Sequence, residues 1–235
     1  MNLRINKFLS LCGIASRRAA DQLIAEARVK VNGETVLTPG LQVTDTDIVE
    51  VDGHAAHPAK ETAVIAFHKP PGCVCTQSDP QGRRTVYDYL PSGFRGFKYI
   101  GRLDLQSRGL LLFTNNGELA HRLTHPSYEI PRTYFVWTHR PLTQKERRAL
   151  LEGIEIEPGI TAHATQVFSH PDFTEMVLTE GKNREIRKMM DFFEIRVRDL
   201  KRVAFAGVLL GNLPAGEYRE LSRAEIKPLQ KTVEL

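Results

Sequence analysis

The stretch from Gly101 to Gly117 constrains the fold of this 235-residue chain more than any other, because it contains the unbroken apolar run Leu110–Phe113. A short run of this kind, followed by the turn-forming pair Asn116–Gly117, predicts a buried strand and then a turn into a helix. A single acidic residue, Asp104, stands shortly before the strand. The sequence therefore places a carboxylate in a loop that leads into the interior of a sheet.

Asp104 lies in strongly basic surroundings. Between residues 83 and 108 there are six Lys or Arg residues and only two Asp or Glu residues. Nearby cations stabilise the ionised form of a carboxyl group, so we identify Asp104 as a candidate nucleophile or base. The alternative is a loop aspartate that caps a turn ahead of the strand, and the residues alone leave both interpretations open.

Positive charge is concentrated in three separate stretches of the chain. Residues 1–30, 83–108 and 182–202 each carry a net charge of +4, whereas the whole chain carries only +4. The remainder of the chain must therefore carry a net charge of −8. Such a distribution is typical of a surface that binds a polyanion, provided that folding brings the stretches to one face. The alternative is three separate, solvated helix faces.

Length and motif content exclude several classes of protein. A chain of 235 residues is long enough for one large or two smaller domains, and we expect two. The N-terminus lacks the apolar run of a signal peptide, and no apolar stretch approaches the roughly 20 residues that span a bilayer. We therefore expect a cytoplasmic protein without a membrane partner. Cys12, Cys73 and Cys75 form neither a disulfide framework nor a zinc set, and phosphate-loop and dinucleotide motifs are absent, so we expect neither a metal nor a cofactor.

The first 30 residues predict two helices. The apolar face of the first helix is formed by residues at helical spacing, namely Ile5, Phe8, Leu9 and Cys12. Ser16 can cap a second helix of about residues 17–27. Arg17 and Arg18 then occupy its first turn, where the helix dipole disfavours cations. This local conflict is resolved if an anion binds there.

A small sheet is predicted after the helices. The sequence predicts two strands, Val29–Val31 and Thr35–Val36. Asn32–Gly33 between them suits a two-residue hairpin turn. Ile48–Val51 predicts a further strand. Two basic helices and this sheet together form a compact N-terminal module.

The N-terminal module resembles the S4-type RNA-binding domain. The resemblance rests on Arg4–Leu9, Ser16–Arg18 and Val31–Gly33. It implies that RNA is the partner and that the two helices bind it, with Arg4, Lys7, Arg17 and Arg18 as the candidate contacts. We place this domain at residues 1–58, a linker at 59–62 and a second domain at 63–235.

The second domain predicts both strands and helices. The expected strands are Ala63–Phe67, Leu110–Phe113, Tyr134–Trp137 and Thr174–Thr179, and the expected helices are a short one through Leu123, Leu142–Leu151, one that begins near Asn183 and one capped by Ser222 and Glu225. The helix near Asn183 has an apolar face made of Ile186, Met189, Met190 and Phe193. Arg187 lies at the edge of its polar face, from where it can reach into a partly dry pocket.

Four motifs of this domain resemble, in order and spacing, the RsuA branch of the pseudouridine synthases. They are Lys69–Gly72, Gly101–Asp104, Arg132–Tyr134 and Gly181–Met189. These enzymes modify ribosomal RNA and carry an S4 domain in front of the catalytic domain, so the resemblance covers nearly the whole chain. It implies an α+β protein whose catalytic domain is built on a mixed, largely antiparallel sheet.

The resemblance also implies an activity and the residues that perform it. The family converts uridine to pseudouridine by breaking the bond from ribose C1′ to base N1 and joining C1′ to C5, which requires no cofactor. Its catalytic aspartate falls on Asp104, its active-site tyrosine on Tyr134 and the basic partner of the aspartate on Arg187. The residues alone also allow a core position for Tyr134 and a solvated position for Arg187.

Further basic residues are expected to assist. Arg102 is expected to bind a phosphate or to help flip the nucleotide, and Lys69 to position either the RNA backbone or the loop. Arg184 and Lys188 are expected to contact RNA from the polar face of their helix. For each of these residues the alternative is a solvated side chain.

We expect this protein to act as a monomer on ribosomal RNA, or on a pre-ribosomal particle, and to isomerise one uridine. Large-subunit RNA is the first choice of target, with small-subunit RNA or a tRNA as the alternative. The charge distribution fits a non-catalytic S4-type RNA-binding or ribosome-assembly factor equally well. A nucleic-acid glycosylase is a more distant alternative, since it can also use a carboxylate near a flipped nucleotide.

Overall fold

The computed structural model describes residues 2–58 and 61–235, which divide into two compact units. The N-terminal unit contains residues up to 63 together with 96–98 and 114–117, and the C-terminal unit contains 64–95, 99–113 and 118–235. Residues 59 and 60 of the expected linker lie outside the described part of the chain. Within the described part, no helix is long and apolar enough to cross a membrane.

The N-terminal unit contains the two helices and the hairpin that the sequence predicts. Its elements in chain order are β1 (Leu3–Arg4), α1 (Ile5–Leu11), α2 (Arg17–Ala25), β2 (Val29–Val31), β3 (Glu34–Thr35), β4 (Gln42–Val43), β5 (Val49–Val51) and β6 (His54–Ala55). Strand β1 pairs with β4, and the order β3-β2-β5-β6 forms a four-stranded sheet. In the hairpin, Lys30 lies opposite Thr35 and Val31 opposite Glu34.

Helix α2 starts where the sequence predicts and ends two residues earlier. The Oγ atom of Ser16 accepts a hydrogen bond from the backbone N–H of Ala19 at 3.2 Å, as an N-cap does. The helix stops at Ala25 because Ala27 has a φ of +56°, which lies outside the right-handed helical region. Local capping chemistry therefore defines the start of this helix, and a change of backbone handedness defines its end.

The C-terminal unit is larger and contains both strands and helices, and three of its elements begin or end with residues 98, 114 and 117 of the other unit. Its elements are β7 (Val64–Lys69), β8 (Lys98–Ile100), β9 (Arg108–Thr114), α3 (Gly117–Thr124), β10 (Arg132–Thr138), α4 (Gln144–Glu152), β11 (Ile154–Glu157), β12 (Ile160–Ala162), β13 (Gln166–Ser169), β14 (Thr174–Leu178), α5 (Glu185–Asp191), β15 (Val197–Phe205), β16 (Val208–Leu209), β17 (Tyr218–Glu220) and α6 (Arg223–Thr232). Short 3₁₀ helices span Val86–Tyr89, Ser92–Phe94 and Pro126–Tyr128.

One mixed sheet organises this unit. Its strand order is β13-β14-β10-β15-β9-β7-β17, with β16 added to β15 and β8 added to β9. The pairings β13–β14, β14–β10, β10–β15 and β7–β17 are antiparallel, whereas β15 and β9 run parallel. The expectation of an α+β fold with a mixed, largely antiparallel sheet is confirmed.

Two apolar clusters pack against this sheet. The first joins β7 and β9 to α3 and α6 and includes Ala66, Leu110, Leu112, Leu119, Leu123 and Leu229. The second joins β10 and β14 to α4 and α5 and includes Val136, Leu150, Met176, Ile186, Met189 and Met190. Ile186, Met189 and Met190 of the face predicted for α5 are therefore confirmed as core, whereas Phe193 lies beyond the helix end and is partly buried against the same cluster.

Gly109, at the start of β9, lies where the parallel strand β15 approaches most closely. Its φ is +112°, a conformation that residues with a side chain rarely adopt. A Cβ atom added at this position would lie 2.2 Å from the carbonyl oxygen of Arg202 and 2.6 Å from its backbone nitrogen. Since backbone atoms cannot swing aside, the β9–β15 pairing requires glycine here.

We predict that Gly109→Ala lowers the free energy of unfolding by about 3 kcal/mol or more, because it adds a backbone clash to an unfavourable φ. The measurement is urea unfolding of the full chain. Gly207→Ala is the matched control, since Gly207 also has a positive φ of +81° but no atom near its Cβ position. The control should lose only about 1–2 kcal/mol. Equal losses in the two variants would contradict the close approach of β9 and β15.

Candidate active site

A cleft of about 830 Å³ opens in the C-terminal unit. It is lined by loop 101–105, by Arg132 and Tyr134 of β10, and by the segment 180–186 that leads into α5. Strand β15 contributes Leu200 and Arg202 to the lining. Three of the four motifs identified in the sequence therefore meet around one cavity.

Asp104 and Arg187 approach each other at this cleft. Oδ2 of Asp104 lies 4.0 Å from Nε of Arg187, an ion-pair distance that is too long for a hydrogen bond. The Asp104 side chain is 30% exposed and the Arg187 side chain 14% exposed. Among the described residues, the buried Nε of Arg187 has no hydrogen-bond partner. The guanidinium group thus places a positive charge beside a carboxylate that solvent, and hence a substrate, can reach.

Helix α5 carries Arg187 to this position. The helix begins at Glu185, later than the expected start near Asn183, because Arg184 has a left-handed φ of +51°. Ile186 and Met189 anchor the helix in the core on either side of Arg187 in the sequence. Arg187 consequently lies at the edge of the buried face, as the sequence predicts, rather than in solvent.

Tyr134 occupies the middle of the sheet. It lies opposite Met176 of β14 and Arg202 of β15, and a register shift separates it from Thr133. Its ring packs against the second apolar cluster and also lines the cleft. Tyr134 is therefore both a partly buried strand residue, as one interpretation predicted, and a wall of the candidate site, as the other did.

Lys69 is a completely buried lysine that holds the loop containing Asp104. Its ammonium group donates hydrogen bonds to the carbonyl oxygens of Pro70 at 3.0 Å, Leu105 at 3.3 Å and Ser107 at 2.8 Å. Burial lowers the pKa of this group. The Lys69 side chain is 0% exposed and therefore has no surface that a phosphate could contact. Of its two expected roles, its contacts fit the positioning of the loop and not the positioning of the RNA backbone.

The segment after Lys69 makes further contacts with the same loop. The backbone N–H of Gly72 donates to the carbonyl of Leu105 at 2.8 Å. The Cys75 thiol donates to the carbonyl of Leu103 at 3.4 Å and accepts from the N–H of Leu103 at 3.5 Å. Burial raises the pKa of the Cys75 thiol. Both neighbours of Asp104 are therefore tied to residues 69–75.

Two buried arginines of the cleft were not among the predicted site residues, although Arg132 opens one of the four motifs. Arg132 and Arg202 lie with their Cζ atoms 5.4 Å and 5.1 Å from the ring centroid of Phe205, which suits cation–π contact. Arg132 donates to the carbonyl of Thr179 at 3.0 Å, and Arg202 to that of Leu110 at 2.8 Å. They add positive charge to the lining of the cleft. An arginine within an apolar strand pattern is the sequence feature that could have indicated each of these buried cations.

The remaining basic residues divide into three groups. Arg102 and Arg184 are exposed and line the cleft. Lys188 points elsewhere, since its ammonium group is 3.0 Å from Glu157 of β11. Arg4, Lys7, Arg17 and Arg18 belong to the N-terminal unit, where Arg17 and Arg18 are exposed in the first turn of α2.

Two family models match this chain. The model of the RNA pseudouridylate synthase family matches residues 63–192, and the model of the S4 domain matches residues 3–49. The first match contains Asp104, Tyr134 and Arg187, and the second contains both helices of the N-terminal unit.

Individual relatives extend the similarity over the full length. An uncharacterized RNA pseudouridine synthase of Aquifex aeolicus (strain VF5) is 38% identical over 250 residues, covering 100% of this chain and 96% of the relative. The ribosomal large subunit pseudouridine synthase B of Vibrio cholerae serotype O1 is 37% identical over 246 residues, covering 100% and 76%. A crystal structure of a pseudouridylate synthase superposes with a TM-score of 0.71 at 28% identity, covering 97% of this chain and 99% of that one.

We predict that Lys69→Met loosens the loop more than it unfolds the protein. Methionine fills the space without the cost of burying a charge, but three carbonyl groups lose their donor. Hydrogen exchange at the amide of Ser107, which donates to the Asp104 carbonyl at 3.0 Å, should accelerate about tenfold or more. Lys227→Met, at an exposed position of α6, is the control. Unchanged exchange at Ser107 would show that Lys69 does not hold the loop.

Proposed function

This chain belongs to the RNA pseudouridylate synthase family, and on that basis we propose that it isomerises a uridine of large-subunit ribosomal RNA, with Asp104 as the catalytic carboxylate. The observation that carries the proposal is the pairing of Asp104 with Arg187 at 4.0 Å beside the cleft. The enzyme class is isomerase, because the reaction rearranges the nucleotide without gain or loss of atoms.

The choice of RNA rests on the relatives. The Vibrio cholerae relative is named a ribosomal large subunit pseudouridine synthase, and it aligns with the whole of this chain. The S4 domain match over residues 3–49 supports an RNA-binding domain that precedes the catalytic domain in the chain. We propose that residues 1–58 hold the RNA, that 59–62 link the domains and that 63–235 perform the chemistry, with the protein acting as a monomer in the cytoplasm. Small-subunit RNA and tRNA are the alternatives for the test below.

The reaction that we propose has three stages. The bond between C1′ of the ribose and N1 of the uracil breaks, the detached uracil turns over, and C5 joins C1′. The proton on C5 must then leave while N1 gains one, so the atoms balance without a co-reactant. Asp104 acts on the ribose, either as a nucleophile at C1′ or as a base that removes a ribose proton. Both roles need an ionised carboxylate, for which the Arg187 guanidinium is a suited partner.

Tyr134 and the exposed arginines would hold the target nucleotide. A base in folded RNA must leave its stack before an enzyme can reach it. The Tyr134 ring, in the wall of the cleft, provides a surface for the extruded uracil, and its hydroxyl is available for proton transfer at C5. Arg102 and Arg184 line the same cleft and are exposed, as contacts to flanking phosphates require.

Asp104→Asn should reduce pseudouridine formation by about 10²–10⁴-fold or more, because the amide can neither attack nor accept a proton. RNA affinity should stay close to that of the unmodified chain, since the two side chains have nearly the same shape. We would incubate the full chain with unmodified large-subunit RNA, small-subunit RNA and tRNA transcripts and map pseudouridine by chemical labelling and primer extension.

Asp191→Asn, at the exposed end of α5, is the matched control and should retain full activity. Retained turnover in Asp104→Asn would refute the assignment of the carboxylate. RNA binding without any pseudouridine would favour a non-catalytic factor, and release of free uracil would indicate a glycosylase. The transcript that carries the new pseudouridine would identify the target class.

A second test concerns the first turn of α2. Replacing both Arg17 and Arg18 by alanine should weaken RNA binding and reduce the slope of log affinity against log salt by up to about 1.8, because each lost phosphate contact removes about 0.9. Lys227→Ala combined with Lys231→Ala removes the same charge from exposed positions of α6 and should leave the slope unchanged. Equal slopes in all three proteins would exclude α2 from the RNA interface.

A further inference from the structure

The face of the sheet that lies behind Tyr134 carries an unusual set of aromatic rings. Successive residues of a strand point to opposite faces, so Tyr134 and Val136 face the second apolar cluster while Phe135 and Trp137 face the other way. Phe168 of β13 and Phe173, next to β14, complete the set. We call the surface formed by Phe135, Trp137, Phe168 and Phe173 the aromatic face.

Three rings of the aromatic face form one continuous group, and Phe168 lies in the same register one strand beyond Glu175. The ring centroids of Phe135 and Phe173 are 4.3 Å apart, those of Trp137 and Phe173 5.5 Å, and those of Phe135 and Trp137 6.2 Å. The three rings are partly exposed, and Phe168 is 50% exposed. None of the four belongs to the apolar clusters that form the cores of the two units.

Basic side chains lie beside these rings in exact strand register. One row runs across five strands, and its members face each other directly in the order Phe168, Glu175, Phe135, Lys201 and Arg108. The Cζ atom of Arg108 lies 5.3 Å from the ring centroid of Trp137, and its Nε donates to Asp199 at 2.8 Å. The row therefore holds two aromatic rings with the carboxylate of Glu175 between them, and two adjacent cations at its β9 end.

Lys201 has no acidic neighbour on either side in this row, since Glu175 lies two strands away. Among the described residues it forms no ion pair, and its neighbour in the register is another cation, Arg108. Burial and the charge of Arg108 lower the pKa of Lys201, whereas Asp199 raises it. Since Arg108 is paired with Asp199, Lys201 is the cation of this row that remains available to an anion.

Cross-strand packing explains part of this arrangement, since aromatic neighbours stabilise a sheet. It does not explain why the half-exposed Phe168 and the unpaired Lys201 share one row with Phe135. Contiguous apolar side chains that stay accessible to solvent are a feature of interaction surfaces. Protein–protein interfaces are depleted in lysine, whereas surfaces that bind single-stranded nucleic acid combine stacking rings with cations for the phosphates.

We propose that the aromatic face binds a single-stranded segment of the RNA substrate, at a surface separate from the cleft. Bases stack on the exposed ring of Phe168 and on the partly exposed ring of Trp137, and Lys201 with Arg108 takes the adjacent phosphates. Because every base has a flat face, this contact adds affinity without selecting a sequence. The inference rests on RNA as the substrate, and it extends the interface to the reverse side of the strand that carries Tyr134.

Trp137 offers a direct test, because it is the chain's only tryptophan. We would titrate the full-length Asp104→Asn variant with a single-stranded uridylate dodecamer and record tryptophan emission and fluorescence anisotropy of the labelled RNA together. Stacking at the aromatic face should quench the emission with the same midpoint as the anisotropy. A base bound only in the cleft would leave Trp137 unaffected, because the cleft lies on the opposite face.

Two variants test the contacts separately. Phe168→Ala should weaken binding at least about fivefold, the lower range for one stacked base. Lys201→Gln should reduce the salt slope by about 0.7, the value for one phosphate contact with a single strand. Leu209→Ala and Lys227→Gln are the matched controls, since both residues are exposed and lie outside the aromatic face. The controls should bind like the parent protein.

The outcomes separate this inference from the proposed function. RNA binding without quenching, or equal affinity in Phe168→Ala and Leu209→Ala, would overturn the aromatic face as an RNA surface. If Trp137 emission falls with rising protein concentration in the absence of RNA, and sedimentation shows dimers, the aromatic face would instead bind a second copy of this protein. Failure to form pseudouridine in the transcripts would refute the proposed function whatever the emission of Trp137 does.

Discussion

The buried ammonium group of Lys69 is the interaction on which the candidate active site depends. A charge removed from water is costly unless strong acceptors surround it, and here the acceptors are three backbone carbonyl groups. Two of them belong to Leu105 and Ser107, one and three residues after Asp104 in the chain. These hydrogen bonds form only if the loop around Asp104 follows one backbone path. On that path the Asp104 carboxylate lies at the cleft beside Arg187.

Strand β10 connects the cleft to the rest of the sheet. One of its faces carries Tyr134 and Val136 toward the helices α4 and α5, and the other carries Phe135 and Trp137 to the opposite surface. At its start, Arg132 shares the ring of Phe205 with Arg202 of β15. The same nine-stranded sheet thus fixes the lining of the cleft and displays an aromatic surface behind it.

Much of the architecture could be predicted because its signals are local. The Asn-Gly hairpin, the Ser16 cap and the Ser222–Glu225 capping box each depend on a few neighbouring residues, and the structure confirms them. The early end of α2 and the late start of α5 were not predicted, because single residues, Ala27 and Arg184, take a left-handed conformation that no local pattern announces.

The interior of the site was harder to predict because it depends on distant pairings. Arg202 is buried only because β15 runs parallel to β9, whose Leu110 is 92 residues away in the chain. The burial of Lys69 could not be predicted from local sequence either, since a lysine beside two prolines is ordinarily solvated. The family resemblance identified Asp104, Tyr134 and Arg187, but it carried no information about which neighbours hold them. Their catalytic roles remain the proposal made above.

Because the loop that contains Asp104 is anchored, the RNA rather than the protein has to rearrange when the two bind. Residues 69–75 hold both neighbours of Asp104, so the carboxylate is in place before any RNA arrives. The conformational change then occurs in the RNA, because the target base must leave its stack to reach the fixed position of the Asp104 carboxylate. A uridine in a strained or unpaired part of a folded RNA meets this requirement at the lowest cost. The rigidity of one short loop thus makes the shape of the RNA, as well as its sequence, a determinant of which uridine reacts.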